Sequence, residues 1–185
     1  TDMLISRVTI GQDAMSETER EAWAATINRF QRRKSGWYTR RHNFHFRSHT
    51  AAYAVAALRL LGRPPAVPVQ KALRIARSPE STRQWLAGIP WSIIWPSSHI
   101  VAGLPAILHM TGSAPEGFWE PYFGWLDEHV HPETGFWSRG LLQRTGLRKS
   151  LAMKELGGAF HMYFIYEIRG RRWPLPDRVT DAAIA

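Results

Sequence analysis

Three apolar segments that each close on a glycine constrain this chain more than any other feature. They end at Gly62, Gly112 and Gly170, at intervals of 50 and 58 residues. The first runs His49-Thr50-Ala51-Ala52-Tyr53-Ala54-Val55-Ala56-Ala57-Leu58-Arg59-Leu60-Leu61, is rich in strong helix formers, and is stopped by Gly62 and then Pro64-Pro65. Being apolar on nearly every side, it is expected to be an inner helix. Thirteen residues before the three glycines stand His49, His99 and Gly157. A period of this size, with one outer and one inner helix per unit, is the signature of stacked helical hairpins that bury a common core.

The stretches between supply the outer helices. Ser16 and Glu19 have the spacing of a capping box, and Trp23, Ile27 and Phe30 recur at helical intervals, so a helix is predicted to run to about Lys34, where Ser35-Gly36 stops it. Val67 to Arg77 reads as an amphipathic helix, and Ser78-Pro79-Glu80 caps a short one carrying Trp85 and Leu86. A loop with Pro90-Trp91 and Trp95-Pro96 is expected to deliver Ser97 or Ser98 as the N-cap of a helix from His99 to Thr111, bent by Pro105. Ala114-Pro115-Glu116 opens an aromatic helix that His131-Pro132 ends. The last inner helix spans Gly157 to Tyr166 and is stopped by Gly170; Pro174 and Pro176-Asp177 begin another. With 185 residues, a single all-α domain covering 1–185 is expected.

The turns Ser35-Gly36-Trp37-Tyr38 and Thr134-Gly135-Phe136-Trp137, with the inner helix Thr50 to Gly62, give the chain a resemblance to the α/α toroids. These are the terpenoid cyclase and prenyltransferase repeat proteins and, more distantly, the six-hairpin glycosidases and polysaccharide lyases. The resemblance covers roughly residues 17 to 185. It implies inner helices around a central cavity, with His49, His99 and His161 and the rings of Trp37, Trp91, Trp95 and Trp137 near it. It further implies an enzyme-like site for a carbohydrate or isoprenoid-like ligand. A full ring needs more helices than this chain carries, so the expectation is an open arc or half ring. The departures are specific: the Asp-x-Asp-Asp acid of squalene-type cyclases is absent, and so is the zinc-binding cysteine of protein prenyltransferases.

Candidate chemistry then rests on histidines and acids. Histidine acts near neutral pH as acid or base, and a lyase on polyuronates needs a His or Tyr base with cations for the substrate carboxylate. His49, His161, Tyr163, Arg47 and Lys154 match those roles, and the repeat adds His99. A glycosidase needs two carboxyl groups roughly 5 to 10 Å apart; Glu155, Asp127, Glu128 and Glu133 are the candidates, and no spacing selects a pair. The plainer alternative makes His161 a packing residue and Glu155 a helix N-terminal acid. His42, His45 and His49 share a helical spacing that suggests a metal. No acid lies between Gly36 and Leu61 to support it, and a basic solvated loop is the better reading. His129 and His131 beside Asp127, Glu128 and Glu133 look equally like a charged helix end. No metal site and no cofactor are expected, and the absence of cysteine removes thiolate chemistry altogether.

The formal charge of +9 raises the question of anionic partners. It is concentrated at Arg32, Arg33, Lys34, Arg40, Arg41 and Arg47, and again at Arg169, Arg171 and Arg172. Nucleic acid is not the expected partner, because no binding motif accompanies the aromatic residues Trp37, Tyr38, Phe44 and Phe46 in the first cluster. Peripheral membrane contact through the same cations would suit an isoprenoid ligand. Nine tryptophans are either core fillers or platforms for flat and apolar ligands. The first residues carry no signal-peptide pattern and do not begin with methionine, so a cytoplasmic piece of a larger protein is expected. The alternative function is a non-catalytic repeat scaffold for a protein partner or an anionic polymer. An enzyme should gather His49, His99 and His161 about one pocket; a scaffold should bury or scatter them.

Overall fold

The computed structural model, described over residues 1–39, 46–137 and 153–184, is all-helical among those residues. Its only strand-like feature there is an isolated antiparallel bridge between Gln31 and Tyr38. In chain order the helices are α1 (Asp2–Thr9), α2 (Glu17–Asn28), α3 (Arg47–Leu60), α4 (Gln70–Ile75), α5 (Pro79–Ala87), α6 (Ile94–Val101), α7 (Gly103–Thr111), α8 (Trp119–His129), α9 (Met153–Ile168) and α10 (Pro176–Ile184). The chain divides into two compact units, Thr1–Arg74 with Gly103–Ala114, and Ile75–Ala102 with Pro115–Ala185.

In the first unit, α2 begins with the predicted capping box: the Ser16 hydroxyl accepts from the Glu19 N–H at 3.3 Å, and the Glu19 carboxylate accepts from the Ser16 N–H at 2.8 Å. The helix stops at Asn28 rather than near Lys34. Side chains that would have pointed outward from a longer helix are used to hold the following loop. Asn28 Oδ1 accepts from the Tyr38 hydroxyl and the Ala66 N–H, and the Gln31 amide bonds Gly36 O and both backbone groups of Val67. That engagement of Val67 also explains why α4 covers only part of the predicted Val67 to Arg77 helix. The inner helix α3 buries Ala51, Ala54, Val55, Ala57 and Leu58, and packs mainly on α7 and α1. Gly103 makes the α3–α7 approach close, since a Cβ there would stand 3.1 Å from the Ser48 carbonyl.

In the second unit, Ser78 caps α5 by accepting from the Ser81 N–H, with Pro79 in the first turn. The predicted cap at Ser97 or Ser98 is a correction: both lie inside α6. Ser97 Oγ donates to Pro90 O and Ser98 Oγ donates to Trp95 O. Pro96 sits in the first turn of α6, where its missing N–H has no helical partner to lose. The helical path breaks at Ala102, between α6 and α7. α6 packs on α9, where a Cβ at Gly158 would come within 3.0–3.2 Å of Ile94. α5 packs on α8, and Tyr122, Phe123, Phe136, Tyr163 and Tyr166 form a fully buried aromatic core.

The glycine landmarks have a common physical cause. Gly62, Gly112 and Gly170 adopt φ of 68°, 63° and 60°, a region that side-chain-bearing residues avoid. In each case the glycine N–H bonds one carbonyl of the last turn and the next residue's N–H reaches the carbonyl before it: Arg63 to Leu58, Ser113 to Leu108, Arg171 to Tyr166. The two small-Gly-aromatic turns also share one hydrogen-bond pattern. Arg32 N–H donates to Trp37 O and Gly36 N–H to Arg32 O; His131 N–H donates to Phe136 O and Gly135 N–H to His131 O. Gly36 is pressed against Pro68 and Val69, and Gly135 against Leu175 and Val179, each just ahead of or within the helix that follows the cap glycine. Arg63 then pairs with Glu17 on α2, and Arg171 with Glu120 on α8.

The stretch Trp91–Thr111, taken across the break at Ala102, is long and apolar enough to cross a membrane by length and composition. Most of it is buried within the protein, as a core helix would be.

Candidate functional site

Within the second unit, α6 and α9 bring two histidines together. On α6, Trp95 and His99 are four residues apart and therefore share a face; on α9, Gly157 and His161 do the same. Gly157 is what lets the two faces meet. A Cβ there would stand 2.8 Å from the Trp95 ring, so the indole occupies the notch that glycine leaves. The Trp95 ring then lies 5.3 Å from His99, edge-on, and 5.6 Å from His161. The two imidazole centroids are 4.8 Å apart, tilted by 50°. His99 is buried, His161 half-buried, and Trp95 is 41% exposed, so the cluster has one ring turned outward.

The hydrogen bonds fix which nitrogen does what. His99 Nδ1 stands 2.7 Å from Trp95 O, and a carbonyl only accepts, so Nδ1 carries the proton. The Ser98 hydroxyl gives its one hydrogen to the same carbonyl at 2.8 Å, so the 2.9 Å contact between Ser98 Oγ and His161 Nδ1 has the imidazole as donor. Both neutral rings therefore protonate Nδ1 and carry their in-plane lone pair on Nε2. Burial, and after it the proximity of His99, holds the His161 pKa below the ordinary histidine range. Ser98 is completely buried with its hydrogen committed to the backbone; it orients His161 and is not placed as a nucleophile.

Each of the other sequence candidates has its own local contacts. His49 belongs to the first unit, in the first turn of α3, with its ring 4.6 Å from Tyr53; Arg47 is the exposed first residue of that helix, and Trp37 is half-buried in the Gly36 turn. In the second unit Trp91 stacks on Trp125 at 5.1 Å and donates its indole N–H to Leu86 O. Trp137 is buried and donates to Leu126 O. Tyr163 is fully buried and donates its hydroxyl to Gly135 O, which clamps the turn, and burial raises its pKa. Glu155 is buried in the first turn of α9, and Lys154 beside it is exposed. Asp127 accepts from Tyr166 at 2.6 Å and from Arg171 at 2.9 Å, while Glu128 and Glu133 are exposed. His129 stacks on Trp125, and His131 Nδ1 accepts from the Glu133 N–H. His42 and His45 lie outside the described residues, as does the basic stretch through Lys149.

Part of the late basic cluster is structural. Arg169 lies over the Trp119 ring at 4.5 Å and Arg171 over Phe123 at 4.9 Å, in addition to its ion pairs. Two contributors to the histidine cluster, Ser98 and Gly157, are not among the site residues expected from the sequence. Ser98 has a visible signal, because Ser48-His49 and Ser98-His99 stand at the same distance from Gly62 and Gly112. The Gly157 notch is flagged only by the cost of a Gly-Gly pair inside a helix. The first unit also holds an apolar groove of about 220 Å³ lined by Pro64, Pro68, Val69, Ala72 and Ile107. Among the described residues no titratable side chain lines it, so those residues can seat an apolar group without doing acid–base chemistry. Compared with family models, curated proteins and solved structures, the chain returns no match.

Proposed function

We propose that the chain is an α/α-toroid-type domain, an arc of helical hairpins whose His99–His161 pair is the working centre of an enzyme for a carbohydrate or isoprenoid-like ligand. The observation that carries this reading is two imidazoles of the same tautomer, held against each other beside an outward-turned indole. A half-buried histidine with a lowered pKa, as His161 is, stays neutral near pH 7 and can take a proton at Nε2. The Nδ1 contact to Ser98 holds the ring through that transfer, as the orienting partner of a general base does. Trp95 supplies the apolar face on which a sugar ring or an isoprene chain would lie.

The test is a binding and turnover screen of neutral oligosaccharides, polyuronates and isoprenoid diphosphates, followed by tryptophan fluorescence and imidazole NMR signals. A ligand from one class should shift both imidazoles, lose most of its affinity in Trp95→Ala, and keep binding but lose turnover in His161→Ala. Turnover that survives His161→Ala unchanged would refute the assignment.

The alternative is a scaffold that binds an anionic polymer or an acidic partner, favoured by the three consecutive exposed cations Arg32, Arg33 and Lys34. Binding of that kind would weaken steeply with salt, disappear on charge reversal at Arg33 and Lys34, and ignore Trp95→Ala.

A further inference from the structure

We infer that His99 and His161 coordinate a divalent transition-metal ion of the zinc class through their Nε2 atoms. This deepens the reading of the same pair as a working centre, with an ion rather than a proton held at Nε2, and it stands on a separate geometric ground. A histidine that binds metal through one nitrogen characteristically donates the other N–H to a backbone carbonyl or a hydrogen-bonded partner, which fixes the tautomer and the ring plane. Both rings here meet that condition by the same route: His99 Nδ1 donates directly to Trp95 O, and His161 Nδ1 donates to Ser98 Oγ, which passes its hydrogen to Trp95 O. One carbonyl on α6 thus sets the tautomer of two rings that arrive from different helices.

The spacing suits shared coordination. One ring nitrogen of each imidazole lies within 4.8 Å of one in the other. Two imidazole nitrogens on one tetrahedral zinc, each at about 2.0–2.1 Å, are about 3.3 Å apart, within reach of a small ring rotation. Imidazole nitrogen selects zinc, copper, nickel or iron, whereas magnesium and calcium demand oxygen ligands that this pair does not offer. A site with two protein nitrogens keeps coordination positions for the ligand's own oxygen, the arrangement by which a metal polarises a carbonyl or activates a hydroxyl. The indole of Trp95 packs against both rings.

The experiment titrates the full chain, stripped of metal by chelator, with Co²⁺ and Zn²⁺ alone, reading cobalt d–d absorption and calorimetry at pH 7.5. The expected result is a cobalt spectrum with nitrogen coordination that His99→Ala and His161→Ala each weaken by at least tenfold. Ser98→Ala should weaken it by about tenfold, since loss of an orienting partner typically costs 10–100-fold. His99→Gln and His161→Gln, with circular dichroism and melting checked, stand in if an alanine variant fails to fold. Unchanged affinity in both histidine variants, or no saturable binding by the wild type, overturns the site. If metal binding fails while the ligand screen responds, the acid–base reading survives alone; if metal binds and no ligand responds, the site stands without the enzyme.

Discussion

The hydroxyl of Tyr122 donates to the carbonyl of Val101 at 3.2 Å, with both residues fully buried. Val101 is four residues before Pro105, which has no N–H to give it. A side chain from α8 thus supplies the bond that the helix itself cannot make. Tyr122→Phe keeps the ring and removes only that donor, leaving a buried carbonyl unpaired. Denaturant unfolding should show a loss of about 1–3 kcal/mol.

Acid should destabilise the protein through His161. Its folded pKa is depressed by burial and by His99, whereas in the unfolded chain it titrates near the usual value of about 6.5. Below that value the unfolded state binds the proton more readily, so stability falls as pH drops from about 6.5 toward the folded pKa and levels off beneath it. Melting temperatures between pH 5 and 8 should trace this slope in the wild type. His161→Gln should flatten it.

The glycines of the histidine helix give opposite outcomes to a glycine elsewhere. Gly157→Ala and Gly158→Ala improve helix propensity but drive a methyl into Trp95 or Ile94, so each should cost about 1–3 kcal/mol. Gly157→Ala should also change tryptophan emission. Gly124, in the middle of α8, has open space around it, and Gly124→Ala should stabilise by up to about 1 kcal/mol. Thermal melts of the three variants decide the matter.

The two arginine locks should differ in strength. Arg63 meets Glu17, whose side chain is 67% exposed, and Glu17→Gln should change stability by about 0–1 kcal/mol. Asp127 is 35% exposed and is shared by Arg171 and the buried Tyr166. Asp127→Ala should therefore cost more, about 1–3 kcal/mol, and lower the pKa of Tyr166. Burial is the main cause of that raised pKa, with the Asp127 hydrogen bond and charge following it. Chemical unfolding and alkaline absorbance titration measure the two effects.

What could be read from the letters was what local geometry dictates. Gly62, Gly112 and Gly170 were legible because only glycine is at ease where φ is positive, and the Ser16–Glu19 and Ser78–Pro79 starts because capping is local chemistry. The end of α2 was not, since Gln31-Arg32-Arg33-Lys34 has fair helix propensity and only the tertiary bonds of Asn28 and Gln31 stop it. The start of α6 is ambiguous in the letters because Pro96 reads equally well as a loop residue and as part of a first turn. His99 and His161 stand 62 positions apart in the chain, and no local pattern announces their meeting. Tyr163 and Trp137 attracted attention for their chemistry, yet burial gives both to the core.

The Gly36 and Gly135 turns have a consequence for how such a chain can diversify. From Gly36 to the cap glycine Gly62 is 26 residues, and from Gly135 to Gly170 it is 35, although both ends are fastened by matching bonds. The surplus lies between fixed anchors, where added length leaves the fastening undisturbed. Chain length can therefore differ between the two fastenings while both keep the same bonds.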